Sequence, residues 1–146
     1  MYDRMQAEDQ ELVRGMIHRF YASDPEMGAI TDEKITRTFE ELYTHPQKGS
    51  IVVIKDEGTA VGYAILVNFW SNEAGGNILD IDELYVEEEA RGKGIASSFI
   101  KSIIETRVND CVAVELGVIN GNERAQKLYE RLGFRLSSNR RLVYDF

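Results

Sequence analysis

The residues best placed to do chemistry form a short run, Arg91-Gly92-Lys93-Gly94-Ile95-Ala96, where a strand-like segment gives way to a helix-like one. Two glycines one residue apart let the backbone approach a ligand closely, and the first N–H groups of the helix that follows have no partner within it. Such a turn is an anion cradle, with the positive end of the helix dipole facing the ligand. Arg91 and Lys93 add charge at its rim, which suits a phosphate or pyrophosphate. The plainer alternative is a glycine-rich tight turn whose charges are simply solvated.

Two other phosphate loops are excluded. A Walker loop needs Gly-x-x-x-x-Gly-Lys-Ser/Thr, but Lys93 is followed by Gly94 and no glycine stands five residues before Gly92. A dinucleotide fingerprint needs Gly or Ala where Ser97 stands, and should open the first βαβ unit of the chain. Cys111 is the lone cysteine. Neither an intrachain disulfide nor a Cys/His zinc cluster can be assembled, so no metal is expected and a reducing cytoplasm is the expected location.

The elements that must position this turn follow from the apolar periods. Tyr2 to Gln6 reads as a short strand and Glu8 to Tyr21 as a helix with Leu12, Ile17 and Phe20 on its apolar side. A second helix from about Thr31 carries Ile35, Phe39 and Leu42 until His45-Pro46 breaks it. The period then becomes that of strands. Ser50 to Lys55, a turn at Asp56-Glu57-Gly58, Ala60 to Phe69, a turn over Ser71 to Asn77, and Ile78 to Val86 make a three-strand meander. A helix over Ile95 to Val108 and a strand over Val112 to Val118 come next, then a helix with Ala125, Leu128, Tyr129 and Leu132, closed by Gly133. A turn at Ser138-Asn139 predicts a final hairpin. The sum is one α+β, or mixed α/β, domain over residues 1–146: a central mixed sheet flanked by helices, in the order β-α-α-β-β-β-α-β-α-β, with a further β if the tail closes as a hairpin.

At 146 residues the chain is long enough for one core without staples. No apolar run approaches the roughly 20 residues of a membrane span, and the N-terminus lacks an apolar signal core, so neither a membrane nor export is expected. A net charge of −8 argues against nucleic acid as a partner. The charge is uneven: residues 1–90 carry 19 acids and 7 bases, residues 91–146 carry 6 acids and 10 bases.

The cradle and one later element together resemble the GNAT superfamily of N-acetyltransferases, which use acetyl-CoA. The phosphate-loop pattern Arg/Gln-x-x-Gly-x-Gly/Ala is met by Arg91, Gly94 and Ala96. The segment from Asn122 through Ala125, Leu128 and Tyr129 to Gly133-Phe134 resembles the family's Asn-x-x-Ala-x-x-Leu-Tyr-x-x-x-Gly-Phe element. One departure is Glu88, within the run Glu87-Glu88-Glu89, where the family often has proline; the added negative charge beside the cradle costs little if these side chains face solvent.

The resemblance implies transfer of an acetyl group from acetyl-CoA to a primary amine by direct attack in a ternary complex. The acceptor would be a cationic small molecule, such as a polyamine or aminoglycoside, or a protein amine. It implies a cofactor held by Arg91, Gly92, Lys93, Gly94, Ile95 and Ala96, by the backbone of Leu84, Tyr85 and Val86, and by Asn122 on the pantetheine arm, although an asparagine there is equally suited to cap a helix. A lysine-like amine is only about one part in a thousand neutral at pH 7, so some group must take its proton. Asp80, Asp82 and Glu83 are the candidates, as base through water or as holders of the amine; each has the alternative of facing solvent or capping a loop. Strand alternation places Asp80 and Asp82 on one face and Glu83 on the other unless a bulge intervenes, and the sequence does not choose among them.

By the same resemblance a backbone N–H near Leu84 to Val86 holds the carbonyl oxygen, and the Tyr129 hydroxyl protonates the departing sulfur, against the alternative that Tyr129 is core. The stretch from Phe69-Trp70 to Gly75-Gly76 loosely resembles the polyamine (diamine) acetyltransferase branch. Phe69 and Trp70 are accordingly candidates to line the amine pocket, or else hydrophobic packing at a strand end. A homodimer through exposed strands or the C-terminal hairpin is common among similar proteins. The acid-rich first part would draw a cationic amine and the basic remainder an anionic cofactor. The competing reading is a non-catalytic module that keeps the cradle to sense acyl-CoA or to hold a partner.

Overall fold

The computed structural model describes residues 1–138 and 141–146. Its elements are β1 (Tyr2–Arg4), α1 (Gln10–Ala22), α2 (Asp32–Thr44), β2 (Gly49–Asp56), β3 (Thr59–Ser71), β4 (Gly76–Val86), α3 (Ile95–Thr106), β5 (Ala113–Leu116) and α4 (Glu123–Arg131). Among the described residues the strands form one sheet in the order β1-β2-β3-β4-β5. β1 to β4 are antiparallel, and β5 joins β4 in parallel, with α3 as the crossover. This is the mixed sheet with flanking helices that the periods predict.

Alternation along the strands sorts their side chains into two cores. Ile51, Val53, Tyr63, Ile65 and Tyr85 meet α1 and α2 on one face. Val52, Ile54, Ala64, Leu66, Leu79 and Ile81 meet α3 on the other, where Tyr129 and Leu132 of the α4 region also pack. α1 buries Val13, Met16 and Ile17 at helical spacing. Leu12, expected on that stripe, falls off its edge and is exposed, as is Ile104 of α3. α2 buries Ile35, Phe39 and Leu42 as predicted, and Thr31 caps it by accepting a hydrogen bond from Lys34 N at 3.3 Å.

Several boundaries differ from expectation, β1 ending at Arg4 and α3 at Thr106 among them. The turn predicted over Ser71 to Asn77 is shorter, because Ser71 still pairs with Gly76 and Trp70 with Asn77. β5 stops at Leu116 instead of Val118, where its pairing with β4 ends opposite Ile81. Beyond α4 no strand forms among the described residues. Leu136, Leu142, Val143, Tyr144 and Phe146 are exposed, so the tail buries no apolar face that would hold a hairpin. Half of the turn expected there, Asn139, lies outside the described residues. Among the described residues no helix is long and apolar enough to cross a membrane.

Candidate active site

The sheet opens along β4. One edge of this strand pairs with β3 from Gly76 to Val86, but the other pairs with β5 only from Ile78 to Ile81. Past Leu116 that second edge is bare among the described residues. Glu87 N donates to Val61 O at 2.8 Å, so by antiparallel alternation the N–H of Tyr85 also faces β3, while those of Leu84 and Val86 face the open edge. The Val86 carbonyl, on the same side, accepts from Arg91 Nε at 2.8 Å.

The alternation expected along β4 is broken by a bulge. Ile65 pairs with Glu83 and Leu66 with Ile81, which leaves Asp82 as an extra residue. Leu79, Ile81 and Leu84 lie with the α3 core. Glu83 joins Asp82 on the opposite face, against α1 and α2, and Asp80 alternates onto that face as well. Glu83 is 8% exposed and fully engaged: the Tyr21 hydroxyl donates to Oε1 and the Tyr63 hydroxyl to Oε2, each at 2.7 Å. Burial pushes its carboxyl above the usual glutamate range, although the two phenol hydrogen bonds pull the other way. Burial, together with the neighbouring Glu83, pushes both phenols far above the ordinary tyrosine value.

Asp82 opens instead into a groove of about 450 Å³ between α2 and the sheet. Among the described residues no side chain bonds to it, and partial burial pushes its carboxyl upward. Asp80 is raised too, first by burial and then by the charge of Asp82.

Past the end of β4 lies the glycine turn. Gly92 and Gly94 have φ of +81° and +79°, the left-handed region that favours glycine. Gly94 is the N-cap of α3 and supplies no capping side chain; the first intrahelical bond runs from Ser98 N to Gly94 O at 2.9 Å. Among the described residues the N–H groups of Ile95, Ala96 and Ser97 are therefore bare, at the positive end of the dipole. The space around both glycines is open, with nothing within 4 Å of where a side chain would begin.

Glu88 and Glu89 face solvent, as an inexpensive departure from the family pattern requires. Glu87 turns inward. Arg19 Nε donates to its two oxygens at 3.1 and 3.2 Å, and the Tyr85 hydroxyl donates to Oε2 at 2.8 Å. Burial raises the Glu87 carboxyl, but Arg19 and Tyr85 outweigh it and hold the group below its usual range. The Arg91 guanidinium sits 5.5 Å over the Tyr85 ring, and Lys93 reaches Asp56 at 3.5 Å in an exposed pair that a competing anion can displace.

Asn122 caps α4, its Oδ1 accepting from Ala125 N at 3.1 Å, which leaves its amide free to donate. Tyr129 packs against the α3-side core and against Phe134, with ring centroids 6.2 Å apart. Burial raises its phenol, and its hydroxyl has no hydrogen-bond partner among the described residues.

Arg124, Lys127 and Arg131, with Gly121, Asn122 and Glu123, which pairs with Lys127 at 3.8 Å, line a second groove of about 560 Å³. Their i, i+3, i+7 spacing was the sequence signal for this basic face. Tyr21, Tyr63, Arg19 and Glu87 also escape a sequence reading, because each acts through a partner distant in the chain or hidden by the bulge. Phe69 and Trp70 are not brought to Asp82 and Glu83, although Phe69 stands two residues from Val67, the partner of Asp80. They pair with Ile78 and Asn77 at the far end of the hairpin, which puts Trp70 roughly 20 Å along the strands from Glu83.

Among the described residues β4 thus ends in an edge of unpaired amides, and the glycine turn that follows it opens α3 with uncapped N–H groups. Residues 15–134 match the acetyltransferase (GNAT) family. Thialysine N-epsilon-acetyltransferase of Bos taurus is 38% identical over 74 residues, 50% of this chain and 43% of that protein. Spermine/spermidine N(1)-acetyltransferase of Bacillus subtilis is 26% identical over 85 residues, 56% of each chain. The chain thus spans about half the length of these curated relatives. The crystal structure of a possible acetyltransferase from Clostridium difficile 630 superposes with a TM-score of 0.85 at 22% identity, over 100% of this chain and 97% of that one, so the fold is shared. With a family match that takes in β4, the glycine turn and α4 together, the chain belongs to the acetyltransferase (GNAT) family.

Proposed function

We propose that this chain, as one N-acetyltransferase domain over residues 1–146, moves an acetyl group from acetyl-CoA to a primary amine by direct attack while both are bound. The observation that carries the reading is the opening of the sheet past Leu116, which leaves the N–H groups of Leu84 and Val86 unpaired among the described residues just ahead in the chain of the uncapped start of α3. The relatives named for thialysine and for spermine/spermidine support an amine as the acceptor.

The residues present fit acetyl-CoA, since a cradle lined by left-handed glycines and unpaired amides suits a diphosphate. Gly92 to Ala96 would hold that diphosphate, with Arg91 and Lys93 at the rim. The Leu84 and Val86 amides and the Asn122 side chain would hold the arm, and the basic groove of Arg124, Lys127 and Arg131 suits any further phosphate. When bound, acetyl-CoA supplies an acyl group already activated as a thioester.

The protein's own residues then handle the protons and the charge. Asp82 accepts the proton of the incoming ammonium, directly or through water, and burial raises its carboxyl, which makes it a better base than an ordinary aspartate. Glu83, with both oxygens taken by Tyr21 and Tyr63, is a positioning group that fixes the bulge and places negative charge beneath the amine. An amide on the open edge of β4 stabilises the charge that develops on the carbonyl oxygen. Tyr129 keeps its proton until the leaving sulfur takes it.

The test is thiol release from acetyl-CoA against spermidine, an aminoglycoside and a lysine peptide. Amine-dependent release is expected with at least one of them. Binding of coenzyme A without release from any amine would overturn the transferase in favour of an acyl-CoA sensor on the same fold.

A further inference from the structure

Residues 1–90 hold seven basic side chains among nineteen acids. Five of the seven are engaged: Arg4 with the Leu42 carbonyl, Arg14 with Glu11, Asp32 and Thr36, Arg19 with Glu87, Lys48 with Glu41, and Lys55 with Asp3. Among the described residues Lys34 and Arg37 make no side-chain hydrogen bond or ion pair, and both line the groove that Asp82 enters. They stand at i and i+3 on α2 and so share one side of the helix. Leu42, Ile65 and Val67 supply an apolar floor to the same groove. Its other carboxylate, Glu41, is already taken by Lys48. The groove therefore carries one free anion, a greasy middle and two free cations.

We propose that the acceptor is a small amphoteric amine: an ammonium group that Asp82 receives, a short aliphatic stem lying on Leu42, Ile65 and Val67, and a carboxylate that Lys34 and Arg37 receive. The proposal rests on the transferase reading and names the acceptor class for that site. A diamine or polyamine would set its second cation against Lys34 and Arg37, where like charges repel and two unpaired cations remain unused. This narrows the broad expectation that an acid-rich surface collects any cationic amine. The overall field brings amines in, and the groove then selects those that also carry an anion.

A matched set of acceptors isolates the far end of the stem: 6-aminohexanoate, hexylamine and 1,6-diaminohexane, compared by kcat/KM in thiol release at one pH and low ionic strength. The wild-type protein is expected to rank them in that order, with a difference of roughly tenfold or more between first and last, as two partly exposed ion pairs would give. The double variant Lys34→Glu/Arg37→Glu is expected to invert the ratio of 6-aminohexanoate to 1,6-diaminohexane, and added salt to compress it. Both substitutions fall on exposed helix positions, so the fold should tolerate them. Equal use of the three amines, a preference for the diamine, or a ratio unmoved by charge reversal overturns the proposal and leaves the transferase standing. Release from none of the three overturns it as well, and if no other amine supports release the transferase reading falls with it.

Discussion

Asp82 and Glu83, neighbours in the chain, occupy the same face of the sheet because Asp82 is the extra residue of a bulge between Ile81 and Glu83. Their surroundings give them different tasks. Both oxygens of Glu83 are engaged, each by a phenol, whereas among the described residues Asp82 meets the groove without a partner.

Replacing Asp82 by Asn should therefore lower kcat/KM for the amine by about 10²- to 10⁴-fold, the usual range for a lost general base. Coenzyme A should still raise the melting temperature as much as in the wild type. Because burial raises the Asp82 carboxyl, wild-type activity should fall as pH drops through that raised value, and the Asn variant should lack this acid limb. A Glu83→Gln variant that retains the limb assigns it to Asp82; loss of the limb in Glu83→Gln alone would reverse the assignment.

The cradle was legible in the sequence because its determinants are local: left-handed turns need glycine, and an uncapped helix start follows at once in Ile95 to Phe99. The same holds for α2, where Thr31 and the Ile35, Phe39, Leu42 stripe define the helix by themselves. The bulge was not legible. It exists only in the register between two strands, Ile65 with Glu83 and Leu66 with Ile81, and no glycine or proline on β4 marks it. Tyr21 and Tyr63 were missed for the same reason, since they lie 62 and 20 residues from Glu83 and meet it only when α1 closes over the sheet, for Tyr21, and when β3 pairs with β4, for Tyr63. The tail shows the converse error: apolar residues at Leu142 to Phe146 suggest a strand, but no described edge pairs with them.

Glu83 also makes a stability prediction. Its carboxyl titrates higher in the fold than the ordinary value of 4.5, so it favours the folded state while protonated. That contribution is fully present below the unfolded value and is lost as pH rises through the folded one. Glu83→Gln cannot ionise and lacks this loss. The stability of the wild type minus that of the variant should therefore decrease from about pH 4.5 toward neutrality. The charge of Asp82 also raises the Glu83 carboxyl, so the difference reports Glu83 together with its coupling to Asp82. Urea unfolding at a series of pH values measures it, and a constant difference across the range would contradict the raised carboxyl.

Gly94→Ala tests the cradle. A φ of +79° costs an L-residue on the order of 1–2 kcal/mol, so the variant should be modestly less stable in the absence of ligand. Relief of that strain would turn the Ile95, Ala96 and Ser97 amides away from their common focus. Wild-type protein with coenzyme A at a hundred times its Kd should gain about 2.7 kcal/mol. In Gly94→Ala, thermal unfolding at the same ligand concentration should show most of that gain gone. Full retention would mean that the turn does not hold the diphosphate.

Tyr129 presents the sharpest choice between packing and chemistry, because its ring contacts Phe134 and the α3-side core while its hydroxyl has no bond among the described residues. Tyr129→Phe keeps the ring and removes only the hydroxyl. A purely structural tyrosine would lose little, since an unbonded hydroxyl adds nothing to the core, and turnover would stay as it was. A proton donor would behave differently: kcat should fall by about 10²-fold or more while the coenzyme A dissociation constant changes by no more than about twofold. The loss should also depend on the leaving group, because a thiol of lower pKa needs less help to depart. Acetyl thioesters of a series of pantetheine-like thiols, assayed with one amine, should show a variant-to-wild-type ratio that approaches unity as the thiol becomes more acidic. A ratio indifferent to thiol acidity would return Tyr129 to the core.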